Sequence, residues 1–341
     1  MNVIETAGTK VYRIAPEKSL PDWLAEKRKR SLKGNSEFQQ RVELLQDFEF
    51  PTAAQRLRVT PDGSCVLGVG MYKPVIRCWE VDELSMKWER FLDCEATDFA
   101  ILSDDWRKLV ILQANRVVEF HTGGGIYYQT RVPRTCWALT YDRSSCDVVM
   151  VGSSSEVYRL NLEQGRFLEP FQSAATGLNV CTQNEVFPLL ATGATNGLVE
   201  CWDPRARRRA AMLSVNPLLA ARSGAGDGKE KWEVTALTFS KSGMEMLAGT
   251  SGGHSLLFDI RAKEPVLIKE HPYGTPIRFL QFHGRDTVLS ADTKVIKAFH
   301  RGTGATWLNL ETPSDINHAL VYPDSGILCV ACEQPKVESY Y

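Results

Sequence analysis

Short apolar runs, broken by Gly, Asp, Asn and Pro, recur along the chain from Thr52 to its end. Runs of that length between turn residues predict strands rather than helices. The stretch Ala191–Leu213, ATGATNGLVECWDPRARRRAAML, shows the pattern most clearly. Small apolar residues lead into Thr195-Asn196-Gly197, which tolerate positive φ in a hairpin turn. Leu198–Trp202 reads as a second strand, Asp203-Pro204 stops it, and a charged turn leads into a third. A strand pair closing on Trp-Asp after a glycine turn is the centre of a β-propeller blade.

The aromatic residue that closes that second strand repeats as Trp79, Phe120, Trp202, Phe258, Phe299 and Tyr340. Arg159, beside Tyr158, holds the remaining place in the series. The spacing is about 40 residues throughout, except for one interval about 15 residues longer. Turn chemistry precedes the strand pairs, as Pro61-Asp62-Gly63, Asp104-Asp105, Ser242-Gly243 and Asp324-Ser325-Gly326. The chain is therefore read as all-β, a seven-bladed WD40-type β-propeller over residues 52–341. Eight blades is the alternative, should Val11–Ile14 head a blade of its own. The long interval contains residues 214–231, SVNPLLAARSGAGDGKEK. Its small and polar composition predicts a mobile loop insertion that the fold does not need.

Residues 52–341 hold six units and roughly three quarters of a seventh at that period. An N-terminal strand is expected to complete the ring, because an open ring leaves two unpaired edges. Val11–Ile14 and Val42–Phe50 both qualify. The first repeats a third-strand motif, KVYRI echoing EVYRL at Glu156–Leu160; the second falls where a fourth strand belongs. Between them SLPDWLAEKRKRSLKG predicts a short helix, with Ser19 as cap, Pro21 in the first turn and Gly34 ending it. Residues 1–51 thus read as an N-terminal strand, a basic helix and a ring-closing segment.

Composition narrows the function. Net charge is −1, so no global basic field attracts nucleic acid, and any such contact is local. Two basic clusters stand out: Lys27, Arg28, Lys29, Arg30 and Lys33 on the predicted helix, and Arg205, Arg207, Arg208 and Arg209 on the charged turn. Both suit phosphate contact, since arginine matches phosphate geometry, and the first also suits nuclear import. The N-terminus lacks the basic and apolar regions of a secretory signal. No apolar run approaches the roughly 18 residues of a membrane span. The nine cysteines are odd in number and fall at strand positions, which predicts reduced thiols rather than a disulfide frame. Cys329 and Cys332 have CxxC spacing but no second ligand pair, so they read as strand residues. We expect no Walker loop, GxSxG elbow or HExxH motif, and the six histidines show no paired spacing. We expect no catalytic, cofactor-binding or metal-binding residue.

Longer strings carry a resemblance. KSLPDWLAEKRKR, VELLQDFEFPT, YKPVIRCWE, SSEVYRLNLEQGRFLEP, ATGATNGLVECWDPR, HPYGTPIRFLQF and LSADTKVIKAFHRGTG span most of the chain. They resemble the amino-terminal WD40 domain of the nucleolar protein 10 family. The resemblance implies a non-enzymatic nucleolar scaffold of the small-subunit processome, acting in 18S rRNA maturation and 40S subunit assembly. It implies other processome assembly factors and pre-ribosomal RNA as partners, with no membrane and no small-molecule substrate. It also implies a longer protein, in which further segments follow Tyr341. The competing readings are a WD40 substrate receptor of a ubiquitin ligase, a chromatin-complex adaptor, or a propeller enzyme with its site in the channel.

Overall fold

A computed structural model of the chain describes residues 2–6, 9–14, 42–44, 48–82, 85–223, 231–323 and 325–340. Strands β1 (Asn2–Thr6), β2 (Thr9–Ile14) and β3 (Val42–Leu44) form a small antiparallel sheet in that order. Blade 1 follows as β4 (Ala54–Val59), β5 (Cys65–Gly70), β6 (Val75–Glu80) and β7 (Ser85–Phe91). Blade 2 is β8 (Ala96–Ile101), β9 (Leu109–Gln113), β10 (Val117–Thr122) and β11 (Gly125–Arg131). Blade 3 is β12 (Cys136–Asp142), β13 (Asp147–Gly152), β14 (Glu156–Asn161) and β15 (Arg166–Gln172). Blade 4 is β16 (Leu178–Gln183), β17 (Leu190–Ala194), β18 (Leu198–Asp203) and β19 (Arg208–Ser214), after which comes helix α1 (Val215–Ser223). Blade 5 is β20 (Val234–Phe239), β21 (Glu245–Thr250), β22 (His254–Asp259) and β23 (Pro265–Glu270). Blade 6 is β24 (Phe279–His283), β25 (Thr287–Ala291), β26 (Val295–His300) and β27 (Thr306–Glu311). Blade 7 has three strands, β28 (Ile316–Val321), β29 (Leu328–Cys332) and β30 (Glu338–Tyr340). The fold is a seven-bladed β-propeller.

The second strand of each blade is apolar along its length because both of its faces meet a neighbouring blade. β5, β9, β13, β17 and β29 are buried at every position. The outer strands β11, β19 and β27 are mostly exposed. Among the described residues, buried side chains form one apolar cluster at each of the seven blade junctions. The first strands contact one another around the ring and so line its centre. Side chains tie them across junctions: Arg58 to Asp98, Asn179 to the Val234 carbonyl, Thr235 to the Ile277 carbonyl, and Asn317 to the Ala54 carbonyl.

The repeating aromatic sits on the third strand of its blade, beside a break in register between third and fourth strands. Such shifts occur at Cys78/Trp79, Phe120/His121, Cys201/Trp202, Leu257/Phe258 and Ala298/Phe299. A β-bulge there re-aims the aromatic side chain into the junction. The Thr195-Asn196-Gly197 turn forms as read: Gly197 has φ 78°, and a Cβ there would meet the Trp232 carbonyl oxygen at 2.6 Å.

Ring closure falls to neither candidate strand as a whole. The Phe50 amide donates to the Pro335 carbonyl at 2.7 Å and the Val337 amide to the Phe48 carbonyl at 2.8 Å. Residues 48–50 therefore lie against the start of the third strand of blade 7, where a fourth strand belongs. Val42–Leu44, at the other end of the second candidate, pairs with β2 instead. Val11–Ile14 lies within β2 and pairs with β1 and β3, so it neither closes the ring nor adds an eighth blade. The predicted basic helix at Ser19–Gly34 lies outside the described residues.

The segment read as a dispensable loop contains α1, which is a correction. The Val215 amide donates to the Gly197 carbonyl at 2.9 Å and Asn216 Nδ2 to the Asn196 carbonyl at 3.0 Å, seating the helix on the hairpin turn. Val215 is fully buried and Leu219 is 4 % exposed, both in the core between blades 4 and 5. Leu219→Ala is expected to cost about 2–3 kcal/mol, measured by urea unfolding, from lost transfer energy and the cavity left behind. An unchanged midpoint would mean that α1 does not pack as described.

Candidate functional site

Of the two basic clusters read from the sequence, Lys27, Arg28, Lys29, Arg30 and Lys33 lie outside the described residues. Arg205, Arg207, Arg208 and Arg209 occupy the turn from β18 into β19, on the outer rim of blade 4. Asp203 shapes that turn, its Oδ1 accepting from the Arg205 amide at 2.9 Å and the Ala206 amide at 3.2 Å. Arg207 then adopts φ 52°, the left-handed region.

The four arginines are not equivalent. Arg209 Nη1 donates to Glu200 Oε1 at 2.8 Å, and Glu200 is fully buried. Arg209 is thus taken up in neutralising an interior carboxylate. Arg207, Arg208 and Arg209 line an open cavity of about 480 Å³ between the outer edges of blades 3 and 4, with Glu169 and Trp202, and of the three only Arg209 is committed to Glu200. Arg207 and Glu169 also line an adjoining cavity of about 240 Å³, together with Arg159, Arg166 and Phe167. Arg205 lines neither. The cleft thus gathers arginines from both blades, and its apolar backing is a stack. The Phe171 ring lies 5.3 Å from Trp202 with planes 7° apart, and the Arg159 guanidinium lies over the Phe171 ring, 4.5 Å from its centroid. Arg159 and Arg166 were not read as site residues. The legible signal was the break in the aromatic series at Arg159; Arg166 carried none.

Two other constellations test the catalytic reading. His271 Nδ1 lies 3.0 Å from Asp292 Oδ2 and its Nε2 lies 2.7 Å from Ser290 Oγ, the connectivity of a hydrolytic triad. Ser290 and Asp292 are fully buried and His271 is 6 % exposed, so no substrate reaches the Ser290 hydroxyl. The group ties the loop before blade 6 to β25 and its hairpin. Gly249–Gly253 spells GxSxG, but Ser251 sits in the hairpin between β21 and β22. A nucleophile elbow needs a strand-to-helix turn, and Ser251 Oγ accepts the Glu233 amide at 3.0 Å.

Near the ring centre, Asp98 accepts from Arg58 Nη2 at 3.1 Å and from the Leu139 amide at 3.0 Å. Burial alone would raise its pKa, but Arg56, Arg58 and that amide hold it below the ordinary carboxylate value. The same two guanidinium groups add to the effect of burial on His318, whose pKa lies well below the usual histidine value. This is an ion-paired structural network spanning blades 1, 2, 3 and 7. Cys329 and Cys332 sit on β29, where burial raises both thiols, Cys332 to about 11.

A family model described as nucleolar protein 10-like, N-terminal domain, matches residues 2–341. The chain is 44% identical to nucleolar protein 10 of Mus musculus over 345 residues, covering 100% of this chain and 50% of that protein. It is 44% identical to nucleolar protein 10 of Danio rerio, covering 47% of that protein. It is 39% identical to ribosome biogenesis protein ENP2 of Saccharomyces cerevisiae, again across 100% of this chain and 47% of that protein. The chain spans about half the length of the curated relatives it matches.

Proposed function

The chain belongs to the nucleolar protein 10 family, and from that membership and its rigid ring we propose that it is a non-catalytic scaffold for ribosome assembly in the nucleolus. In this reading it is a component of the small-subunit processome, supporting 18S rRNA maturation and 40S subunit assembly. The observation that carries the reading is the match along the whole ring, including to a relative named for ribosome biogenesis. A closed propeller suits the role physically. Its blades hold one another in place, so faces and rim present fixed surfaces to several partners at once. Other assembly factors would bind those surfaces, and pre-ribosomal RNA would meet the basic clusters at Lys27–Lys33 and Arg205–Arg209.

The test is sedimentation of the tagged full-length protein from nucleolar extract, with crosslinking inside the particles it joins. Co-sedimentation with precursors of the small subunit, and accumulation of 18S precursors on depletion, are the expected results. Recovery in a ubiquitin-ligase or chromatin complex, with pre-ribosomes untouched by depletion, would overturn the scaffold reading.

A further inference from the structure

At the repeat position that holds an aromatic residue in the other six blades, blade 3 carries Arg159. Its residue is 4 % exposed, so a guanidinium is buried where other blades bury a ring. The charge is only loosely balanced. The nearest carboxylate oxygen, Asp147 Oδ2, is 3.6 Å from Nη2, and Asp147 Oδ1 already accepts from Asn161 Nδ2 at 2.8 Å. Nε and Nη1 of Arg159 are shut off from solvent and have no hydrogen-bond partner among the described residues. Leaving a buried charged donor unsatisfied costs its full desolvation, and native proteins leave few such groups without cause.

The surroundings favour an anion. Arg159 lines the 240 Å³ cavity, and so do Arg166 and Arg207. Burial lowers the pKa of Arg159, Asp147 opposes that shift, and the nearby charge of Arg207 adds to it. Glu169 is the one carboxylate among the residues lining this cavity. At about 30 Å³ per water, the space holds a phosphate group with a few waters. The Arg159 guanidinium packs over the Phe171 ring, 4.5 Å from its centroid, and Arg159 also lines the cavity. A planar guanidinium matches two phosphate oxygens with two parallel hydrogen bonds.

We propose that the cleft between blades 3 and 4 is a phosphate site for single-stranded RNA, with Arg159 as its buried donor and Arg166 and Arg207 as its walls. RNA is favoured over an acidic peptide because Phe167, 38 % exposed, lines the same cavity. Its ring offers a stacking face to the base beside the bound phosphate. The choice of RNA as the source of the phosphate rests on the ribosome-assembly reading; the anion site itself rests on the geometry.

The experiment measures binding of a short oligouridine to the full chain by fluorescence anisotropy across a salt series. Arg159→Met keeps the packing against Phe171 and removes the charge. It is expected to weaken binding by roughly tenfold or more, the range for a charge-assisted hydrogen bond. The salt slope is expected to flatten by about 0.7, one single-strand contact. Arg285→Ser, at an exposed turn of blade 6, should change neither. If Arg159→Met fails to fold by circular dichroism, the exposed pair Arg166→Ser and Arg207→Ser replaces it, with an expected slope change of about 1.4. Unchanged affinity and slope in a folded variant would overturn the site. Displacement of oligouridine by polyglutamate at matched charge would overturn the RNA assignment in favour of an acidic peptide. Sedimentation of the full-length protein separates the two readings. Co-sedimentation with pre-ribosomes by a protein that binds no oligouridine sinks the cleft and keeps the scaffold. Oligouridine binding lost in Arg159→Met, by a protein absent from pre-ribosomes, keeps the cleft and sinks the scaffold.

Discussion

Phe50→Ala is expected to lower the stability of the whole ring by about 3–5 kcal/mol, the usual cost of emptying a buried phenylalanine site. Phe50 is 3 % exposed and packs edge-on against Trp79, with ring centroids 5.3 Å apart. The Arg77 guanidinium lies 5.7 Å from its ring, and its own amide makes the closing bond to Pro335. Its cluster joins Ala54, Leu57 and Val75 of blade 1 to Cys329, Ala331 and Val337 of blade 7. One side chain thus holds the seam between the first and last blades, and removing it weakens both at once. Urea unfolding followed by tryptophan fluorescence and by circular dichroism should give one transition, shifted to lower denaturant with its slope unchanged. A separate early transition would show instead that blade 7 frays alone and that closure does not couple the ring. Deleting residues 1–14 removes β1 and β2, none of which makes the closing bonds, so a comparable loss is not expected from that truncation.

The propeller was legible because its signal is periodic and local. The aromatic residue near the end of the third strand in six of the seven blades, and the turns between strands, depend only on the strand they belong to, so both could be read without knowing the neighbours. Partner choice is not local. KVYRI at Lys10–Ile14 does form a strand, as its likeness to EVYRL predicts, but strand propensity does not say which edge it joins. Closure went to residues 48–50, which precede β4 directly in the chain. The helix is hard to see in the sequence for a different reason. Val215, Leu218 and Leu219 have helical spacing, and Pro217 suits a first turn. The glycine-rich, charged remainder of the segment outweighed that nine-residue pattern. Arg205–Arg209 was visible as a cluster, but what divides it lies elsewhere in sequence. Glu200 takes Arg209, while Arg159 and Arg166 of blade 3 join Arg207. The break in the aromatic series at Arg159 was plain to see. Its consequence required knowing that Phe171 and Trp202 fill the space beside it.

Asp292→Ala is expected to cost about 3–5 kcal/mol, the range for breaking a buried, hydrogen-bonded charged group by removing one partner. Asp292 is fully buried. Its Oδ2 lies 3.0 Å from His271 Nδ1, and its Oδ1 accepts from the Lys294 and Val295 amides, both at 2.6 Å. Removing the carboxylate leaves those donors unpaired in the interior and releases the turn between β25 and β26. Burial by itself would raise the pKa of Asp292, but His271 and the two amides hold it below the ordinary carboxylate value. A depressed folded value means that the ionised form stabilises the ring fully above about pH 4, the unfolded value. That contribution is lost as pH falls through the folded value. The advantage of the wild type over Asp292→Asn should therefore be largest near neutrality and shrink on acidification below about pH 4. Chemical denaturation of both proteins along a pH series measures it, and a difference that grows towards acid would contradict the assigned charge state. The same burial predicts that an acylating probe for activated serines leaves Ser290 unlabelled in the folded protein. Labelling of Ser290 at native pH, lost in His271→Ala with the ring still folded, would instead make the Ser290–His271–Asp292 group catalytic and overturn the scaffold reading.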